Sequence, residues 1–259
     1  TPIKSSAASD VYKRQIIDGI NLNLLSLSNN ISYVGPLRAT TQRYYRFQNY
    51  AVEEIDSDGK NLAMYLYNLD KESLNNFKNW TRRLFGFEVE VSSVNGNMEL
   101  IINEEGKEKH NMVDVGFGYT QILPILAIIW KTLYKDFAIT NYSRTTGRNQ
   151  YIVAIEQPEL HLHPRLQGLF ASMLVTVIKE AKEQGRDIRF IIETHSEIII
   201  SRIGQMIATH EFSNEDINVF IFNAANEGMQ NYIEKSYYSE DGQLINWPYG
   251  FFSDYVFED

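Results

Sequence analysis

Two largely apolar runs rich in β-branched residues constrain this chain more than any other feature. They are Tyr151-Ile152-Val153-Ala154-Ile155, which is unbroken, and residues 188–192, apolar except for Arg189 and read as a second buried strand. A run without alternation reads as a strand covered on both faces. Between the two, Pro164 sits where a helix can open at no cost to its missing N–H. Leu166, Leu169, Phe170, Met173, Leu174, Val177 and Ile178 then make one helical stripe, which Gly185 closes. A further helix is expected over 196–208. Strand, helix, strand, helix points to an α/β sheet with helices on its faces. Ligands in such sheets bind at the carboxyl ends of the strands, so chemistry should be sought just after Ile155 and Ile192.

The rest of the chain divides into recognisable pieces. A short strand over 31–34 runs into Gly35-Pro36 and Leu37-Arg38. Helical spacing covers 61–68 and 71–85, the latter carrying Leu74, Phe77, Trp80 and Leu84 and ending at Gly86 as a C-cap. Residues 87–94 and 98–102 read as a hairpin around Asn95-Gly96-Asn97. The stretch 119–134 is apolar on nearly every side, so it should be a buried helix. A polar loop follows over 137–150. Strands over 217–222 and 230–235 flank Asn226-Glu227-Gly228, and the tail runs through Trp247-Pro248 to Phe251-Phe252.

Composition sets the class. The chain has 259 residues, no cysteine, 24 Lys+Arg against 33 Asp+Glu and a net charge of −9. At roughly 150 residues per domain this is one large domain, or one with an appendage. Without cysteine there is no disulfide scaffold, thiolate metal site or cysteine nucleophile. The acidic balance argues against a protein that coats nucleic acid generally. A membrane-spanning helix needs about 20 apolar residues, and the longest run here stops at Lys131. We therefore expect a soluble, cytoplasmic protein with no membrane partner. Residues 1–15 have no helical or strand periodicity and no apolar signal core; SSAASDVYKRQ resembles a translated sequencing-adapter tail and is set aside from fold reasoning. On that reading the natural protein is longer and its N-terminal part is missing.

Three segments could carry chemistry. Glu156-Gln157-Pro158-Glu159 places carboxylates at the end of a buried strand, where they are costly unless paired or holding a cation. Mg²⁺ takes one or two carboxylates and completes its shell with water and phosphate; a strand end turning into solvent with incidental acids is the plain alternative. Glu193-Thr194-His195-Ser196 repeats the arrangement one strand on, and His195 could orient a water or sense a phosphate or be a hydrogen-bonded structural residue. Val115-Gly116-Phe117-Gly118-Tyr119-Thr120-Gln121 puts two glycines at a helix start, a natural phosphate site, although glycines also begin helices without function. His161 and His163 could bind a metal, but no further ligands cluster nearby. Arg43 and Arg46 with Tyr44 and Tyr45 could touch nucleic acid; a solvated face is the preferred reading.

In the order VGFGYTQILPI, YIVAIEQPELHLHP and FIIETHSE, these segments resemble the C-terminal half of an ABC-type AAA ATPase of the SMC/OLD-like group. YVGPLR upstream and INWPYGFF near the end resemble the subgroup with a small C-terminal domain of unknown function. The resemblance covers most of 32–259. It implies a P-loop NTPase fold, an ABC-like three-layer arrangement of sheet and flanking helices, lacking its N-terminal Walker A portion. The head would span 16–225, with a helical insertion about 61–86, and an appendage would span 226–259. It also implies ATP and Mg²⁺ as cofactors, with Glu156 as the Walker B acid acting on the metal. Gln157 falls where many relatives carry the catalytic glutamate. Leu160, His161 and His163 would belong to the D-loop facing the opposite subunit, and His195 would be the switch histidine. Gly116, Gly118, Tyr119 and Gln121 would form the signature that caps ATP held by a partner in a head-to-tail homodimer.

Two departures qualify this. No G-x-x-x-x-G-K-[ST] stretch exists; Gly59-Lys60 and Gly106-Lys107 are followed by Asn61 and Glu108. Gln157 is neutral and cannot accept a proton from water, so hydrolysis is slow or Glu159 or His195 serves as base. The leading expectation is an ATP-hydrolysing head that drives a partner, effector, nuclease or nucleic-acid transaction, with phage defence as one setting. The alternative is a nucleotide-gated regulatory module with little catalysis. A metal-dependent nuclease is disfavoured because no D-x-D follows His195. The 259 residues alone should not hydrolyse ATP.

Overall fold

Both apolar runs form strands of one parallel sheet. In the computed structural model, which describes residues 14–21, 24, 28, 30–47, 52–134, 150–223 and 232–248, β1 is Ile31–Val34 and β6 is Gln150–Glu156. The second run is β7, Asp187–Glu193. The order is β1-β6-β7, with Val34 beside Ile155 and Glu156 beside Glu193. Val153 and Ile155 of the central strand are buried, as expected for a strand with neighbours on both sides. The expectation of a second fully buried strand needs correcting. Ile188 is buried but Ile191 is 62 % exposed, and Arg189 and Glu193 on the same face are exposed too, so β7 alternates like a strand covered on one face only.

The chain divides into two units, one formed by Thr1–Leu162 and Val177–Thr194, the other by His163–Thr176 and His195–Asp259. In the first, helix α3 (Phe117–Tyr134) packs on β1 and β6 and is buried from Thr120 to Leu133. It starts two residues earlier than its apolar pattern suggests. A second, antiparallel sheet is built from β2 (Tyr45–Arg46), β3 (Phe87–Val94) and β4 (Asn97–Glu104), ordered β2-β4-β3, with β5 (His110–Asn111) paired to β4. Its hairpin turns on Asn95 and Gly96, both at positive φ (51° and 77°), the type I′ geometry that follows strand twist. Asn97 therefore opens β4 instead of closing the turn.

Helices α1 (Leu62–Asn68) and α2 (Lys71–Phe85) fall where the spacing placed them. Asp70 caps α2 by accepting the Ser73 N–H at 2.8 Å, and Gly86 ends it at φ 78°. Phe77 of α2 meets Trp130 of α3 edge-on at 5.2 Å, and the Trp130 indole donates to Asn76 at 2.7 Å. Helix α4 (Pro164–Glu183) contributes Glu180 to the first unit, where it accepts from Arg83 and from Tyr134 at 2.8 Å. Arg186 donates to the Leu133 carbonyl and so satisfies the C-terminus of α3.

The second unit sets helix α5 (Glu197–Ala208) against an antiparallel sheet of β8 (Val219–Asn223), β9 (Tyr232–Tyr238) and β10 (Leu244–Ile245). Tyr238 donates to the Ile200 carbonyl at 2.9 Å. Gly204 and Gly242 lie so close that a Cβ on either would strike the other's backbone. Among the described residues no helix is long and apolar enough to cross a membrane. The tail 1–13, the loop 135–149, the turn 226–228 and Phe251-Phe252 lie outside the described residues.

Candidate functional site at the strand ends

Parallel register brings Glu156 and Glu193 side by side at the carboxyl ends of β6 and β7. Tyr33, on β1, donates its hydroxyl to Glu156 Oε1 at 2.8 Å. That bond to a carboxylate, with burial and the charges of Glu156 and Glu193 behind it, raises the phenol above its ordinary range. Glu156 therefore carries a fixed neighbour that the segment around it does not announce.

Beyond Glu156 the chain turns sharply. Gln157 has φ +41° and His161 φ +60°, both in the left-handed region that side chains avoid. Several contacts hold the loop. Gln157 N–H donates to the Glu193 carbonyl at 2.8 Å, and Leu160 N–H donates to the Gln157 carbonyl at 3.2 Å. Thr194 Oγ1 donates to Glu159 Oε2 at 2.7 Å. Arg38 places Nη1 and Nη2 each 3.2 Å from the Gln157 carbonyl. Non-glycine residues persist in such conformations where surroundings over-determine them, and they gather at working sites.

Gly116 takes φ +98°, with open space where a Cβ would stand, and leads straight into the free N–H groups of α3. Gly118 lies in the first turn. Tyr119 stacks edge-on against Phe87 at 5.0 Å and donates to Glu104 at 3.0 Å. Gln121 is buried, 3.5 Å from Thr120 Oγ1. The outward residue here is Phe117, 47 % exposed, whose ring meets His161 edge-on at 5.0 Å. The glycine-led helix start and the loop after Glu156 thus touch within the first unit. Sequence reading passed over Phe117 and assigned no role to Tyr33 or Arg38; the distances in sequence, 123 residues for Tyr33 to Glu156, carry no local signal.

His163 and His195 belong to the second unit. His163 accepts the Arg165 N–H at 3.2 Å on Nδ1 at the start of α4. His195 precedes Ser196, the N-cap of α5, whose hydroxyl accepts from Ile199 N–H and donates to Gln167 at 2.6 Å. Among the described residues no group of three or more His, Asp or Glu could form a metal cage. The donors at the strand ends suit a hard divalent ion that takes one or two carboxylates and otherwise water and phosphate oxygens. A cleft of about 700 Å³ in the first unit, walled by residues such as Thr41, Asn61, Met98 and Pro124, shares no residue with these strand ends.

Comparison with known proteins gives the context. No curated protein matches the chain. Several solved structures align with part of the chain at low similarity. One belongs to work on ATP-driven dimerization and DNA-stimulated activation of SMC ATPases: 13 % identity, 63 % of this chain, 82 % of that one, TM-score 0.40. An Smc head with an extended coiled coil bound to the C-terminal domain of ScpA, from Pyrococcus furiosus, aligns at 10 % identity over 63 % of this chain and 34 % of its own, TM-score 0.36. An Smc head with a coiled coil and joint from Pyrococcus yayanosii gives 12 %, 66 %, 27 % and 0.38. Residues 13–200, well over half of the chain, match the AAA ATPase domain family, and the chain belongs to it.

Proposed function

We propose that this chain is the part of an ABC-type ATPase head that closes around Mg-ATP between two copies. The observation that carries the reading is the pairing of Glu156 with Glu193 at adjacent parallel strand ends, within a chain of the AAA ATPase family. Glu156 would hold Mg²⁺ through water, oriented by Tyr33, and the metal would neutralise charge on the phosphates. Gln157 would orient the attacking water, and Glu159 or His195 would take its proton. Gly116, Gly118, Tyr119 and Gln121 would build the helix start that caps nucleotide bound to the other copy; Leu160, His161 and His163 would line the same interface. The exposed Phe117–His161 pair supports placing both elements at one surface. The phosphate-cradling lysine has no counterpart in these 259 residues, so tests belong on the intact protein. Light scattering should show a doubling of mass with Mg-ATP, lost when Phe117 is changed to Asp. An unchanged monomer with saturating nucleotide would count against the sandwich.

Gln157 favours a second reading, a nucleotide-gated regulatory switch with little turnover. Single-turnover kinetics separate the two. If the head is a slow ATPase, Gln157→Glu raises the chemical step; if the glutamine serves a switch, the same change lowers it or leaves it alone.

A further inference from the structure

We infer that Arg38 is a positioning residue: its buried guanidinium holds the backbone of Gln157 in the left-handed conformation and so sets where the Gln157 amide is presented. What that amide does rests on the nucleotide reading above; what Arg38 does to it does not.

A buried arginine ordinarily pairs with a carboxylate. Arg38 is 6 % exposed and makes no ion pair among the described residues. Its hydrogen bonds go to carbonyls instead: Nη1 to Pro36 at 2.8 Å, and Nη1 and Nη2 together to Gln157 at 3.2 Å each. Its Nε has no hydrogen-bond partner among the described residues. Burial pulls its pKa down to about 10, against the opposing charge of Glu159, so it stays cationic at neutral pH. Keeping a charge buried for two carbonyls is costly, and a purely space-filling role would be served by an apolar side chain.

The Gln157 backbone is where such a hold is needed. Its φ of +41° is opposed twice, by its own Cβ and by Pro158, since a residue before proline is driven to extended φ. Two N–H groups of one rigid fork on a single carbonyl fix the direction of that peptide, which a lysine ammonium cannot reproduce. The same carbonyl accepts Leu160 N–H, so its orientation passes directly into the following turn.

Amide exchange in the intact protein reads this without reference to activity. Arg38→Gln should speed exchange at Leu160 by roughly tenfold or more while leaving Leu74, whose N–H donates to the Asp70 carbonyl in α2, unchanged. Arg38→Lys, which keeps the charge if the glutamine variant fails to fold, should lose the same protection. In a Q157N background, where asparagine tolerates left-handed backbone, the effect of Arg38→Gln should shrink to within about twofold. In ATP turnover, Arg38→Gln should lower kcat and leave KM within about twofold. Unaltered Leu160 exchange in both Arg38 variants, or an undiminished effect in the Q157N background, overturns the assignment. An intact protein that never hydrolyses ATP overturns the nucleotide reading instead, and the exchange results still decide the role of Arg38.

Discussion

Gly59→Ala offers a sharp test of how closely the turn at Gly59 approaches α3. Gly59 has φ +75°, and a Cβ there would stand 2.6 Å from Pro124 Cγ and 2.7 Å from Pro124 Cβ. The neighbour cannot yield easily, because a proline ring is rigid and Pro124 sits inside the buried run of α3. Two costs add: about 1–2 kcal/mol for a side chain in the left-handed region, and about 1–3 kcal/mol for forcing a Cβ into the Pro124 ring. Gly106 isolates the first cost, since it has φ +76° with nothing within 4 Å of a Cβ. Urea unfolding followed by tryptophan fluorescence should place Gly106→Ala about 1–2 kcal/mol below wild type. Gly59→Ala should fall about 2–5 kcal/mol below. Equal losses, within about 0.5 kcal/mol, would refute the claimed approach of the Gly59 turn to α3.

Further outcomes follow from other contacts. Glu156→Gln should lower the Tyr33 titration midpoint towards the ordinary phenol value of about 10, read by NMR of labelled tyrosine; an unmoved midpoint argues against the Tyr33–Glu156 bond. Hydrogen bonds from the Ser73 hydroxyl and N–H hold Asp70 below its usual carboxylate range. Its contribution is therefore complete above about pH 4 and lost as pH falls through the lower folded value. Urea midpoints of wild type and Asp70→Asn should accordingly converge in acid, and a constant gap down to pH 2 would contradict the cap. Gly204→Ala forces a Cβ into the Gly242 backbone and should cost more than Gly106→Ala, at least about 2 kcal/mol. The 259-residue chain by itself should release no phosphate from ATP above background in a coupled assay.

Local pattern made much of this fold legible. YIVAI could only be an inner strand, and the all-round apolarity of 119–134 foretold a buried helix. Gly86 and the Asn95-Gly96 pair marked element ends through capping and turn chemistry, whereas the Asp70 cap emerged only from the structure. The exposure of Ile191 was not legible: residues 188–192 are apolar except for Arg189, and which face of β7 is left uncovered is a tertiary property. Two-residue strands such as β2 and β10 are too short to show a period. Within the site, the acids and glycines announced themselves as motifs. Tyr33 and Arg38 did not, because their roles arise from register between β1 and β6 and from a peptide orientation at Gln157 that no spacing encodes.

The conformation of the loop after Glu156 links these observations. Left-handed backbone at both Gln157 and His161, gripped by Arg38, Thr194 and Phe117, describes a turn held to one shape. On the proposed reading, such preorganisation would let the loop orient a water and meet another copy at once. On the same reading, a neutral Gln157 would keep the orientation of the water while giving up its basicity.

Steady-state turnover of Mg-ATP by the intact protein, wild type against Glu156→Ala, addresses the central claim most directly. Circular dichroism should first confirm that the variant is folded. If the ends of β6 and β7 form the hydrolytic centre, turnover falls on the order of a hundredfold or more. Undiminished turnover in the folded variant would contradict the account.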